Sequence, residues 1–162
     1  MGHVISCQPL TTVSHIDCVQ IEYSPWCLDH EHDGVIDTCR ELGVTIVAYS
    51  PLGRGVLTGQ YRDVSAFTGS NDNRGTIPKY TEYLQKNLEL VDALELIAQR
   101  KGCTVGQLCI AWVAAQGAIP IPGTKQIGRL EENWGANAVQ LSDEEQEAIR
   151  TVSNANKPVG AR

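Results

Sequence analysis

Three short stretches carry side chains whose types and spacing could do chemistry. Ile119-Pro-Ile-Pro-Gly-Thr-Lys125 is an apolar run that ends in a glycine turn and opens a helix bearing Arg129, Glu132 and Asn133. A helix start suits an anion, because its first N–H groups have no partner inside the helix and the macrodipole favours negative charge there. Gly123 permits close approach to the backbone, while Thr124, Lys125 and Arg129 add a hydroxyl and two cations. In α/β barrels a phosphate site follows the seventh and eighth strands at such a helix start. The same residues also suit an ordinary strand-to-helix turn with solvated Lys and Arg, since helix starts are common.

The second stretch, Tyr49-Ser-Pro-Leu-Gly-Arg-Gly55, follows a strand-like run. Its glycines open no helix directly, so a doubly wound dinucleotide fold is poorly supported. A tyrosine at a strand end can stack on a flat heterocycle, or can be a core residue with a hydrogen-bonded hydroxyl. The third stretch, Asp29-His-Glu-His-Asp33, has metal-ligand residue types. Neighbouring positions at a helix entrance diverge, however, and acidic residues in a first turn are expected from the dipole, so no metal site is predicted. Hydrolytic readings lack a nucleophile and base: there is no G-x-S-x-G elbow, and His3, His15, His30 and His32 all lie in the first fifth of the chain.

The elements that must position these residues follow from periodicity. Cys18 to Tyr23, Val44 to Ser50 and Ala118 to Pro122 read as strands, with β-branched and apolar residues between turn formers. Their apolar character predicts burial on both faces of a parallel sheet. Helices are predicted over Asp33–Leu42, Lys86–Lys101, Thr104 to Val113 or Ala115, Gln126–Trp134, and Ser142 to about Val152. Thr104-x-x-Gln107 and Ser142-x-x-Glu145 are capping boxes. Strands alternating with helices predict an α/β fold of parallel units. Thr58 to Tyr83 has no periodicity and reads as a long loop, a type that is usually functional or disordered. The tail from Asn154 has no pattern.

Composition narrows the partners. With 162 residues, 42% of them hydrophobic, the chain suits one globular unit. A net charge of −6 offers no bulk attraction to nucleic acid or anionic membranes, and no run is long enough to span a bilayer. Cys7, Cys18, Cys27, Cys39, Cys103 and Cys109 never form a zinc-type pair, and no secretory leader is evident. Reduced thiols and a cytoplasmic location are expected. Met1-Gly2-x-x-x-Ser6 before Cys7 fits a loose lipidation pattern without a polybasic second signal.

Read together, Val19-Gln-Ile-Glu-Tyr-Ser-Pro25, Val47-Ala-Tyr-Ser-Pro-Leu-Gly-Arg-Gly-Val-Leu-Thr-Gly59, and Ile119 to Lys125 with Arg129-Leu-Glu-Glu-Asn133 resemble the aldo-keto reductases in order and spacing. Pyridoxal-reductase and aryl-alcohol-dehydrogenase-like members are the nearest in pattern. The resemblance implies a partial (β/α)₈ TIM barrel, covering about the sixth to eighth strands. Residues 18–157 form the reductase portion, 1–17 an atypical N-terminal segment and 158–162 a tail. It implies NADP as cofactor and reduction of aldehydes or ketones by hydride transfer.

By the same resemblance, Gln20 meets the nicotinamide carboxamide and Tyr49 stacks on the ring. Ser50, Pro51, Leu52, Gly53 and Arg54 line the pyrophosphate. Gly123, Thr124, Lys125 and Arg129 hold the adenosine 2′-phosphate, Glu132 and Asn133 meet the adenine, and Arg74 closes over the cofactor. Two cations match a phosphate dianion better than a ribose hydroxyl, which favours NADP over NAD. The family's catalytic Asp, Tyr, Lys and His come from the other half of the barrel, and no matching segment occurs here, so no residue receives a catalytic role. Alternatives are a non-catalytic NADP-binding or regulatory module and a non-functional fragment. Unpaired parallel edges predict homodimerisation or instability.

Overall fold

The computed structural model describes residues 14–67, 69 and 72–160. The lipidation pattern, His3, Cys7 and the last two tail residues lie outside them. Three strands, β1 (Cys18–Glu22), β2 (Thr45–Tyr49) and β3 (Ile119–Pro120), form one parallel sheet in chain order. Five helices accompany them: α1 (Val35–Leu42), α2 (Leu84–Lys101), α3 (Val105–Ala115), α4 (Ile127–Gly135) and α5 (Asp143–Ala155).

Local chemistry explains the boundaries. The first helix starts at Val35 rather than Asp33 because Gly34 takes φ +83°, a left-handed conformation that no helix can include. Asp33 still caps it from outside, accepting from the Val35 N–H at 3.0 Å. Both capping boxes form: Thr104 Oγ1 accepts from the Gln107 N–H and Ser142 Oγ from the Glu145 N–H, with reciprocal bonds from each N3 side chain. The third strand is shorter than predicted because Pro120 and Pro122 have no N–H to donate. Between them, Ile121 donates to the Ala48 carbonyl at 3.0 Å.

One face of the sheet presents Ile21, Tyr23, Ile46 and Ala48 to a core completed by Ile36, Cys39, Leu90, Leu94, Leu108, Trp112 and Ile149. The other face does not match the prediction of burial on both sides. Gln20 pairs in register with Val47, Glu22 with Tyr49 and Val47 with Ile119, so these residues share a face. Gln20, Thr45, Tyr49 and Ile119 are exposed there, Val47 is half-buried, and Glu22 is buried at 6%. That face is therefore open over Gln20, Thr45, Tyr49 and Ile119 and closed at Glu22.

The Thr58–Tyr83 segment is not extended loop but a chain of single 3₁₀ turns at Val64–Phe67, Asn73–Thr76 and Pro78–Tyr80. Aromatic packing holds it down. Tyr80 stacks parallel to Trp26 at 6.3 Å and meets Phe67 edge-on at 6.4 Å, and Phe67 touches Tyr61 at 5.5 Å.

The Asp29–Asp33 run is engaged locally. Glu31 accepts from the Tyr23 hydroxyl and pairs with Arg150, while His30 Nδ1 lies 2.7 Å from Asp33. Burial and then the Glu31 carboxylate push the Tyr23 phenol well above the usual tyrosine range, so this knot is structural. Among the described residues no three metal-binding side chains gather, no helix is long and apolar enough to cross a membrane, and the five cysteines are free thiols.

Candidate functional site

Two segments about 70 residues apart in sequence form the walls of one cleft of about 400 Å³. The first wall is the turn after β2. Ser50 and Arg54 take φ +52° and +54°, left-handed values that are costly for residues with a Cβ and concentrate at functional sites. Gly53 shares that conformation with its backbone against the core, where an added Cβ would meet Trp26 at 3.1 Å. Val56 and Leu57, both fully buried, anchor the turn. Thr58 Oγ1 closes it by donating to the Gly55 carbonyl at 2.7 Å.

The second wall is the turn after β3 and the start of α4. Thr124 Oγ1 accepts from the Gln126 N–H at 3.1 Å, which orients the chain into the helix. The first-turn N–H groups of Ile127, Gly128 and Arg129 have no carbonyl inside the helix. Cβ atoms built on Gly123 or Gly128 would meet nothing within 4 Å, so the backbone there is open to a ligand. Gln107 steadies the helix by donating to the Glu132 carbonyl at 3.0 Å.

The loop supplies a third side. Arg74 holds Asp72 through Nε and Nη2 at 2.9 and 2.7 Å, donates Nη1 to the Arg54 carbonyl at 2.9 Å, and stacks over Tyr61 and Phe67. Arg129 reaches Gln60 Oε1 and the Tyr61 hydroxyl at 3.4 and 3.3 Å. Burial opposes ionisation of Tyr61, but hydrogen bonds from Arg129 and Arg74, with their charges, outweigh it and hold the phenol below its usual range. Among the described residues Arg54, Lys125 and Arg129 meet no carboxylate, whereas Arg62, Arg74 and Arg150 each do.

Of the residues singled out in the sequence, Ser50, Pro51, Leu52, Arg54, Arg74, Gly123, Thr124, Arg129, Glu132 and Asn133 line the cleft. Four do not. Gln20 and Tyr49 stand on the open sheet face, Gly53 faces the core, and Lys125 is exposed beside the cleft. Gly55, Thr58, Gln60, Tyr61 and Pro122 line it as well. Gln60 and Tyr61 had no sequence signal beyond standing in a long aperiodic loop.

Comparison with known proteins identifies the family. The description "Aldo/keto reductase family" matches residues 5–154, and the chain belongs to that family. Aldo-keto reductase str7 of Strobilurus tenacellus is 48% identical over 155 residues, 93% of this chain and 46% of that protein. Aldo-keto reductase yakc [NADP(+)] of Schizosaccharomyces pombe is 47% identical over 152 residues, 91% and 44% of the two. The chain thus spans about half the length of the curated relatives it matches.

Among solved structures, the thermostable aldo-keto reductase Tm1743 in complex with epalrestat superposes with TM-score 0.66 at 28% identity, over 90% of this chain and 43% of that one. The glycerol dehydrogenase AKR11B4 of Gluconobacter oxydans gives TM-score 0.82 at 23% identity, covering 96% and 47%, a likeness of fold alone. The three-stranded α/β unit is consistent with part of such a barrel.

Proposed function

We propose that this chain is the NADP(H)-binding portion of an oxidoreductase that reduces aldehydes or ketones, its strands standing sixth to eighth in the barrel. The observation that carries the reading is the convergence of two distant turns on one cleft, where Arg54 and Arg129, unlike Arg74, lack carboxylate partners among the described residues. The fit to a phosphorylated dinucleotide is chemical. A free helix first turn, open backbone at Gly123 and Gly128, and a guanidinium at Arg129 without a carboxylate partner supply N–H donors, and the Thr124 hydroxyl can add one more, which suits a dianion.

When bound, the nicotinamide supplies the hydride. The protein's part is positioning. The Ser50–Arg54 turn lies along the pyrophosphate, Arg129 and Lys125 hold the 2′-phosphate, and Glu132 with Asn133 edge the adenine. Tyr49 and Gln20, on the open sheet face, meet the nicotinamide. Arg74 acts indirectly, fixing the Arg54 carbonyl and thereby the turn. No residue of this chain is assigned as proton donor, so the chain alone binds cofactor without turning over substrate.

Fluorescence titration tests the reading. NADPH binds the unaltered chain more tightly than NADH. Arg129→Ala removes charge-assisted hydrogen bonds of about 1.5–3 kcal/mol, weakening NADPH by roughly 10–100-fold and leaving NADH little changed. Lys125→Ala acts in the same direction and less strongly. Equal losses for both nucleotides would overturn the assignment. Turnover of pyridoxal or an aromatic aldehyde by the isolated chain would overturn the absence of a proton donor.

A further inference from the structure

Gln107 joins two helices with one amide. It is the N3 residue of the α3 capping box, where its Oε1 accepts from the Thr104 N–H at 3.1 Å. Its Nε2 donates to the Glu132 carbonyl of α4 at 3.0 Å. Only this orientation serves both partners, since the flipped amide would set N–H against N–H and C=O against C=O. The Glu132 carbonyl needs that donor. It falls in the last turn of α4, and the Ala136 N–H that would close on it bonds Asn133 and Trp134 instead. Among the described residues this is the one hydrogen bond between α3 and α4.

Gly135 makes the contact possible. It takes ordinary helical angles, φ −59° and ψ −19°, so no left-handed turn calls for glycine, and alanine is the better helix former there. A Cβ at that position, however, would stand 2.5 Å from Gln107 Nε2. The missing side chain is the space the amide occupies. The contact matters because burial does little to fix α4: none of its residues is buried, and Ala136, which is, comes just past its end. Yet Arg129, Glu132 and Asn133 of this helix line the cleft, whereas Gln107 and Gly135 line a separate hollow of about 370 Å³.

We infer that Gln107 is a positioning residue for the adenosine end of the nucleotide. From outside the cleft it sets how far Glu132, Asn133 and Arg129 project into it, and Gly135 is the position that admits the amide. The inference rests on the cofactor reading above. Positioning differs from the charge of Arg129 in what it discriminates. The 2′-phosphate distinguishes NADPH from NADH, whereas both carry adenine, so a displaced α4 weakens both nucleotides.

Fluorescence titration of the full chain with each nucleotide tests this, together with hydrogen exchange of the helix amides. Gln107→Glu keeps the capping box, glutamate being an ordinary N3 partner, and loses the donor to α4. Gly135→Ala displaces the amide from the other side without adding charge. Each variant weakens NADPH and NADH alike by roughly 3–10-fold, the usual scale of one neutral hydrogen bond. Gln107→Glu also speeds exchange of the α4 amides and leaves those of α3 unchanged. The double variant loses no more than either single change, because both remove the same bond. Thr104→Ala weakens the α3 cap but leaves the amide in place, so both affinities are kept. The inference is overturned if either variant leaves both affinities unchanged, if either lowers that of NADPH alone, or if Thr104→Ala lowers them as much. Should the unaltered chain bind neither nucleotide, the cofactor reading falls and this inference with it. Should the chain bind NADPH, with Arg129→Ala acting on NADPH alone while the Gln107 and Gly135 variants bind normally, this inference alone falls.

Discussion

Arg74 is engaged inside its own loop before any ligand arrives, and that fixes what its removal does. Its fork holds Asp72 from two nitrogens, and the hydrogen bond from the guanidinium, opposed by slight burial, keeps the Asp72 carboxyl below the usual aspartate range. A carboxyl depressed in the folded protein stabilises it fully above the unfolded value and loses that contribution as pH falls through the folded value. Hydrogen-exchange protection of residues 72–77 therefore drops below about pH 4, near the ordinary aspartate pKa. In Asp72→Asn it is low already at neutral pH and shows no further acid step. Tyr61 acts in the opposite pH range. Ionised, its phenolate would neutralise Arg129, the cation assigned to the phosphate. NADPH affinity falls as pH rises toward about 10 in the unaltered chain, and Tyr61→Phe removes most of that alkaline loss in a binding titration.

At the scale of elements, what could be read from sequence was what neighbouring residues decide. Both capping boxes and all five helices were legible because spacing of three and four residues along one chain produces them. Thr104→Ala lowers stability by about 1 kcal/mol, the usual worth of such a cap, and shows as a shifted denaturant midpoint. Leu108→Ala, a fully buried change on the same helix, costs about 2–5 kcal/mol in the same measurement. The segment from Thr58 to Tyr83 was illegible because its order comes from distant partners. Tyr80 stacks on Trp26, more than fifty residues away, Phe67 packs on Tyr80 in turn, and Arg74 reaches back to Arg54. The missed cleft residues, Gln60 and Tyr61, sit in that same segment for the same reason. Gly53 and Gln20 illustrate the converse, since a motif names a residue without saying which way the chain turns it.

At the scale of the whole molecule, the core lies on one face of the sheet and α4 stands outside it, so the tryptophans divide sharply. Trp26 and Trp112 are almost fully buried, whereas Trp134 is exposed on α4, as are Ile127 and Leu130. Trp112 is further held by its indole N–H, which donates to the Gln146 carbonyl at 3.1 Å. Acrylamide should therefore quench one component of the fluorescence of the isolated chain readily and leave the remainder protected. Trp134→Phe should abolish the quenchable component without moving the unfolding midpoint, because an exposed side chain contributes little to the packed core. Raising the protein concentration separates two physical states of the open face. If the chain remains monomeric, the quenchable fraction is constant; if copies associate through these α4 side chains, that fraction shrinks as concentration rises. A shrinking fraction is expected, since unpaired sheet edges and the exposed Ile127, Leu130 and Trp134 favour association of copies. Quenching of all three tryptophans at low concentration would mean that the core around Ile36, Leu94 and Leu108 does not hold in the isolated chain.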